Sequence, residues 1–136
     1  MTSIQLPPSR RGKTILVVDD EPEIVNVLAE LLTQERHDVD TALNGVLALE
    51  KLREKQYDLI LSDLSMPLLD GPGFYRELEQ HHPQLLDRVI FMTGALMKPE
   101  TQEFLRRTGV LCLCKPLELT EVWRAVRGVL ERQAFR

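Results

Sequence analysis

The sequence predicts an α/β fold, a doubly wound five-stranded parallel sheet of order 2-1-3-4-5 with helices on both faces. Three observations lead there. Four short apolar runs, each followed by polar or turn-forming residues, read as strands buried on both faces. Segments of helical periodicity separate them. One further segment alternates polar and apolar residues, as an edge strand does. A length of 136 residues suits one such domain and leaves little for a second.

Residues 1–13 carry Pro7, Pro8, Ser9, Arg10, Arg11 and Gly12 and read as a flexible arm or interdomain linker, with 14–136 as the folded unit. Strand 1 is Ile15-Leu16-Val17-Val18. Helix 1 sets Ile24, Val27, Leu28, Leu31 and Leu32 at offsets 0, 3, 4, 7 and 8, one face of a helix. Asp38-Val39-Asp40-Thr41-Ala42 is the alternating strand, placed at an edge. Val46, Leu49 and Leu52 mark helix 2, and Leu59-Ile60-Leu61 is strand 3. Phe74 and Leu78 mark helix 3, which should end before Pro83. Strand 4 is Val89-Ile90-Phe91-Met92. Pro99 opens helix 4 in the first turn, where a missing N–H costs little, and Phe104 and Leu105 are its apolar contacts. Val110-Leu111-Cys112-Leu113 is strand 5, read as buried on both faces. Leu119, Val122, Trp123, Val126 and Leu130 give helix 5, with Trp123 in the core.

Composition narrows the function. Seventeen Lys and Arg against 21 Asp and Glu give a net charge of −4, so no basic excess is present to neutralise nucleic-acid phosphates. No apolar run approaches the roughly 18 residues that span a bilayer. The first twelve residues show no apolar core of a secretory signal. A cytoplasmic domain without membrane contact is expected. Cys112 and Cys114 would stand about 7 Å apart in a strand, too far to bridge, and are expected as buried thiols.

In open α/β sheets the binding crevice lies at the carboxyl ends of the strands. Strand 1 ends in Asp19-Asp20-Glu21, strand 3 in Asp63, strand 4 in Thr93-Gly94 and strand 5 in Lys115-Pro116. Any one of these acids could cap a helix, Asp20 or Glu21 serving helix 1. Caps explain neither Lys115 nor the convergence. Carboxylates gathered at one rim repel, by about 4 kcal/mol for a pair 4 Å apart at an effective dielectric near 20. A divalent cation relieves this, and Mg²⁺ favours such an all-oxygen set. Phosphoryl transfer to a carboxylate fits: Asp19 and Asp20 hold Mg²⁺, Asp63 shares it and is the nucleophile, and Lys115 and the Thr93 hydroxyl meet phosphoryl oxygens.

Four segments at the strand ends occur in order: Ile15-Leu16-Val17-Val18-Asp19-Asp20-Glu21-Pro22, Asp63-Leu64-Ser65-Met66-Pro67 with Asp70-Gly71, Phe91-Met92-Thr93-Gly94, and Cys114-Lys115-Pro116. From residue 13 to the C-terminus the chain closely resembles the receiver domains of two-component response regulators (CheY-like), with the flavodoxin-like (βα)5 fold. The resemblance implies a phosphorelay module and not an enzyme. Asp63 would take a phosphoryl group from a phosphohistidine on a histidine kinase or histidine phosphotransfer protein. Mg²⁺ would be bound by Asp19, Asp20, Asp63 and the backbone carbonyl of Ser65, with Thr93 as switch hydroxyl, Lys115 as the phosphoryl ion-pair partner and a cis peptide before Pro116. It further implies a signalling face on helix 4, strand 5 and helix 5. The aromatic that the family often carries three residues before the lysine is replaced by Cys112, so the aromatic half of the relay is absent.

The stretch from Val89 to Lys115 resembles receivers at the C-terminal end of hybrid sensor histidine kinases. A stand-alone receiver is the other setting, and no output domain is expected after helix 5. Two alternatives stand beside the receiver: a Mg²⁺-dependent phosphohydrolase with an aspartyl nucleophile, and a degenerate receiver that only docks partners. Gly12-Lys13-Thr14 mimics the end of a phosphate-binding loop, but position 7 is proline and the segment precedes a strand. His81 and His82 read as surface residues near a helix end, Arg106-Arg107 as solvated, and His37 as exposed in a polar turn.

Overall fold

The computed structural model describes residues 12–134. Five strands alternate with five helices: β1 (Thr14–Val18), α1 (Pro22–Gln34), β2 (Asp38–Ala42), α2 (Gly45–Glu54), β3 (Leu59–Asp63), α3 (Gly71–His81), β4 (Val89–Thr93), α4 (Pro99–Thr108), β5 (Leu111–Cys114) and α5 (Leu119–Ala134). The sheet runs β2-β1-β3-β4-β5, and each neighbouring pair is parallel. Most of the arm expected over 1–13 lies outside the described residues.

The inner strands read as unbroken apolar runs because both faces are used. Leu16, Val18, Ile60 and Phe91 join one core with Ala48, Leu52, Phe74, Leu78 and Phe104. Ile15, Val17, Leu59, Leu61, Ile90 and Met92 join the other with Val25, Leu28, Leu32, Val122 and Val126. Within the first core Phe104 stands edge-on to Phe91 and Tyr75, at 5.7 and 5.6 Å between ring centroids. Phe91 is fully buried. Phe91→Ala should lower the unfolding free energy by about 3–5 kcal/mol. A urea midpoint unchanged from wild type would contradict that packing.

The helix stripes differ in detail from the periodic reading. In α1 the buried residues are Val25, Leu28 and Leu32, while Val27 is 47% exposed. In α2 they are Gly45, Ala48 and Leu52, and Val46 faces solvent. In α5 Leu119 is exposed and Val129 is buried. Trp123 is only half-buried and lies under the Arg127 guanidinium, 5.0 Å from the ring centre. In each case a two-residue choice at similar hydrophobicity was settled by how the helix rolls on the sheet. α3 stops at His81 and a single 3-10 turn follows at Pro83–Leu85. α4 ends at Gly109, whose φ of 68° is a left-handed cap that glycine adopts without strain.

Strand β5 corrects the expectation of two-sided burial. It is the second edge of the sheet, and Leu111 and Cys114 are exposed. Its composition reads as an inner strand because Cys112 and Leu113 each pack, partly buried, against one of the two cores. The opposite edge is protected by charge. Lys55 Nζ reaches Asp40 Oδ2 at 3.0 Å and Asp38 Oδ2 at 3.3 Å. The buried Tyr57 donates its hydroxyl to Asp40 Oδ2 at 2.7 Å. Fixed charges of this kind discourage pairing with another strand. Burial and the Asp40 hydrogen bond raise the Tyr57 hydroxyl far above its ordinary pKa, so it stays a donor.

Candidate functional site

The strand register carries four chemical groups to one rim. β1 pairs with β3 and β3 with β4, so Asp63 at the end of β3 stands opposite Met92, one residue before Thr93. Thr93 stands opposite Cys114, one residue before Lys115. Asp19 follows β1 directly, and its backbone N–H donates to the Ala42 carbonyl at 3.2 Å. Asp19, Asp63 and Thr93 are buried. Burying such groups is costly unless they are paired.

Lys115 supplies that pairing. Its Nζ lies 3.0 Å from Asp19 Oδ2, 3.3 Å from Asp63 Oδ2 and 3.9 Å from Glu21 Oε1. One ammonium therefore bridges the ends of β1 and β3. Burial lowers the Lys115 pKa, but the Asp19 hydrogen bond and the charges of Asp63 and Asp19 outweigh it, and the net shift is upward. Burial also raises the Asp63 carboxyl, and the Asp19 charge adds to this; Lys115 and the Ser65 N–H oppose both. The Lys115–Pro116 peptide is cis.

Asp19, Asp20 and Glu21 form the one carboxylate cluster of ion-binding size among the described residues, with an oxygen from each within 4.8 Å of the others. Asp19 is buried within it and the other two are exposed. Asp63 is not a member of that tight group; Lys115 links it to the group through Asp19. Glu21 is thus the acid that the residue-level ligand set left out. The run Asp19-Asp20-Glu21 held the signal, but which of three neighbouring side chains turn inward depends on where α1 begins. Asp19 Oδ1 accepts the Glu21 N–H at 2.9 Å, and Glu21 is the backbone cap of α1. The cluster so gathers at a helix N-terminus, where negative charge is favoured.

The loop after β3 shapes the far side. The Ser65 N–H donates to Asp63 Oδ1 at 3.3 Å. The Leu69 N–H donates to the Pro67 carbonyl at 2.8 Å, closing a turn around Leu68, whose φ is 70°. A positive central φ makes this the rare, strained kind of γ-turn. Gly71 closes the loop: its N–H donates to the Leu64 carbonyl at 2.8 Å, and a Cβ there would sit 2.9 Å from Leu64 Cα. Asp70 caps α3 by accepting the Gly73 N–H at 2.9 Å. Thr93 Oγ1 accepts the Ala95 N–H at 2.9 Å, which ties the hydroxyl to the loop leading into α4.

The remaining singled-out residues lie away from this rim or play no part in it. Cys112 is half-buried, and burial, with smaller contributions from Cys114 and Asp63, pushes its thiol up to about 11. Cys114 is exposed, contrary to the expectation of two buried thiols. It is the last residue of β5, and both end residues of that strand are exposed. His81 is exposed and pairs with Glu77, while His82 is half-buried. Arg106 pairs with Glu103, and Arg107 lies over the Phe104 ring. His37 is not exposed as expected; it is half-buried and its Nδ1 accepts the Lys13 N–H at 3.0 Å. No helix among the described residues is long and apolar enough to cross a membrane.

Comparison with known proteins agrees with this geometry. Residues 15–127 match the family described as the response regulator receiver domain. The transcriptional regulatory protein GlrR of Escherichia coli K12 is 29% identical over 126 residues, which is 93% of this chain and 28% of that protein. The sensor protein EvgS of the same organism is 35% identical over 106 residues, 78% of this chain and 9% of that protein. The chain thus spans less than a third of either relative. The receiver domain of the sensor histidine kinase PA1611 from Pseudomonas aeruginosa PAO1 superposes with a TM-score of 0.77 at 26% identity, covering 88% of this chain and 98% of that one. That structure holds a magnesium ion in its active-site cleft.

Proposed function

The chain belongs to the response regulator receiver domain family of two-component signalling, and on that premise we propose that Asp63 takes up a phosphoryl group from a phosphohistidine on a histidine kinase or phosphotransfer protein. Residues 14–136 are the receiver unit in this reading, with 1–13 as its leading arm. The observation that carries it is Lys115 Nζ held between Asp19 and Asp63, at 3.0 and 3.3 Å, beside the Asp19-Asp20-Glu21 cluster.

Each residue has a definite task. An Asp63 oxygen attacks phosphorus in line, and the phosphorus–nitrogen bond of the donor breaks with its electron pair returning to the imidazole. Lys115 moves from a carboxylate to a phosphoryl oxygen, a change its reach to Asp63 makes short. The Thr93 hydroxyl, whose oxygen now accepts the Ala95 N–H, turns its proton toward a second phosphoryl oxygen. The donor set is all oxygen and compact, which fits Mg²⁺; Asp19 and Asp20 would hold it, with Asp63 and the Ser65 carbonyl completing the protein ligands and Glu21 close by. When bound, the ion neutralises charge developing on the phosphoryl oxygens.

Mg²⁺ should stabilise the fold. Between zero and 10 mM the melting temperature is expected to rise by a few degrees, since binding at about ten to a hundred times Kd contributes about 1.4–2.7 kcal/mol. Asp20→Asn should flatten that response; a melting temperature indifferent to Mg²⁺ in the wild type would remove the site. Acetyl phosphate with Mg²⁺ should label the chain once per molecule. Sustained turnover of a generic phosphate monoester would instead favour a phosphohydrolase.

A further inference from the structure

Two side chains from different parts of the chain hold two consecutive backbone N–H groups at the mouth of β1. The Lys13 N–H donates to His37 Nδ1 at 3.0 Å, and the Thr14 N–H donates to Asp58 Oδ2 at 2.9 Å. Backbone bonds run beside them: the Asp38 N–H to the Lys13 carbonyl and the Asp58 N–H to the Thr14 carbonyl, both at 2.8 Å. The entering chain also lies hard against the turn that carries His37, because a Cβ on Gly12 would overlap the Arg36 carbonyl oxygen. His37 is half-buried in this corner.

A neutral imidazole accepts at Nδ1 when its proton is on Nε2, whereas a protonated ring has two donors and no acceptor. We propose that His37 is a proton-released latch on the Lys13 N–H: neutral, it holds that group beside the start of β1, and protonated, it frees it, while the Asp38 N–H keeps the Lys13 carbonyl. Asp58 keeps its hold on the Thr14 N–H, so the release is confined to the Lys13 amide.

The charged groups around the ring are Glu35 at the end of α1, Asp58 ahead of β3, and Lys13 itself. Burial lowers the ring's affinity for a proton; Glu35 and Asp58 oppose this and Lys13 assists it, with a net shift below 6.5. A histidine lowered in the folded state contributes stability that is fully present above the unfolded value of 6.5 and is lost as pH falls through the folded value. The latch is therefore closed at neutral pH and opens in acid.

Amide exchange and ring titration by NMR, on the full chain between pH 8 and pH 5, test this. The His37 ring should titrate below 6.5. As it does so, the Lys13 amide, corrected for intrinsic exchange, should lose about fivefold in protection, the weight of one ordinary hydrogen bond. The Thr14 amide should not follow. His37→Asn places an oxygen acceptor where Nδ1 stands and has no proton to gain, so Lys13 protection should become flat with pH. His37→Ala should leave Lys13 unprotected throughout. Lys13 protection that ignores the ring titration, or a pH dependence that survives in His37→Asn, would overturn the latch.

Discussion

Asp63→Asn is expected to abolish phosphoryl uptake from acetyl phosphate, a loss of more than about a hundredfold in labelling because the amide is no nucleophile at neutral pH. The variant keeps the shape of the side chain and the contact with the Ser65 N–H, which the amide oxygen still accepts. It also removes one of the three carboxylates around Lys115, so Lys115 keeps Asp19, with Glu21 at 3.9 Å. The fold should therefore survive, and a melting temperature at or above the wild-type value without Mg²⁺ is expected. That outcome follows from burial, which together with the Asp19 charge already makes an ionised Asp63 unfavourable. Intact mass before and after incubation, followed by alkaline or hydroxylamine cleavage of the acyl phosphate, reads the result. Labelling that persists in Asp63→Asn would move the acceptor elsewhere on the chain.

Lys115→Ala is expected to lower the unfolding free energy by about 1–3 kcal/mol in the presence of a chelator. Asp19 is fully buried and Asp63 nearly so, and the substitution leaves the two acids without the cation that bridges them. Breaking a buried pair by removing one partner costs about 3–5 kcal/mol, and the partial exposure of Lys115 lowers that cost at this bridge. Adding 10 mM Mg²⁺ should return part of the loss, since the ion supplies positive charge to the same carboxylates. Urea unfolding with and without the metal separates the two contributions. A midpoint unchanged by the substitution in chelator would mean that the bridge carries no net stability. A loss that Mg²⁺ leaves untouched would mean that the ion does not meet these carboxylates.

The two variants also differ in what they leave intact. Asp63→Asn keeps the cation and loses the nucleophile, whereas Lys115→Ala keeps the nucleophile and loses the cation. Uptake that is slowed but present in Lys115→Ala, beside none in Asp63→Asn, is the pattern expected of a receiver.

The rim was legible because chain direction does most of the placing. In a parallel sheet every strand delivers its last residue to the same edge, so Asp19, Asp63, Thr93 and Lys115 needed only the strand ends to be recognised. What the residue pattern left open was finer. Val25 replaces Val27 on the buried stripe of α1, and Ala48 replaces Val46 in α2, because small differences in helix roll exchange neighbours of like hydrophobicity. Glu21 joins the acidic cluster through the way α1 begins, a detail of a few backbone hydrogen bonds. His37 lies in a polar stretch that looks solvated, yet the backbone of Lys13, 24 positions away and just ahead of β1, donates to it.

The amino-acid sequence by itself determined the class of fold, the order of its elements and the set of residues at the strand ends, since local periodicity and chain direction are properties of the chain alone. The tertiary structure alone decided which edge is guarded and which is bare: charge protects β2, while β5 shows an inner strand's composition at an open edge. It also decided that Lys115 binds Asp19 and Asp63 together, a contact spanning 96 positions to the first. Such contacts depend on the packing of the whole sheet to within a fraction of an ångström, and no local pattern encodes a distance of that kind.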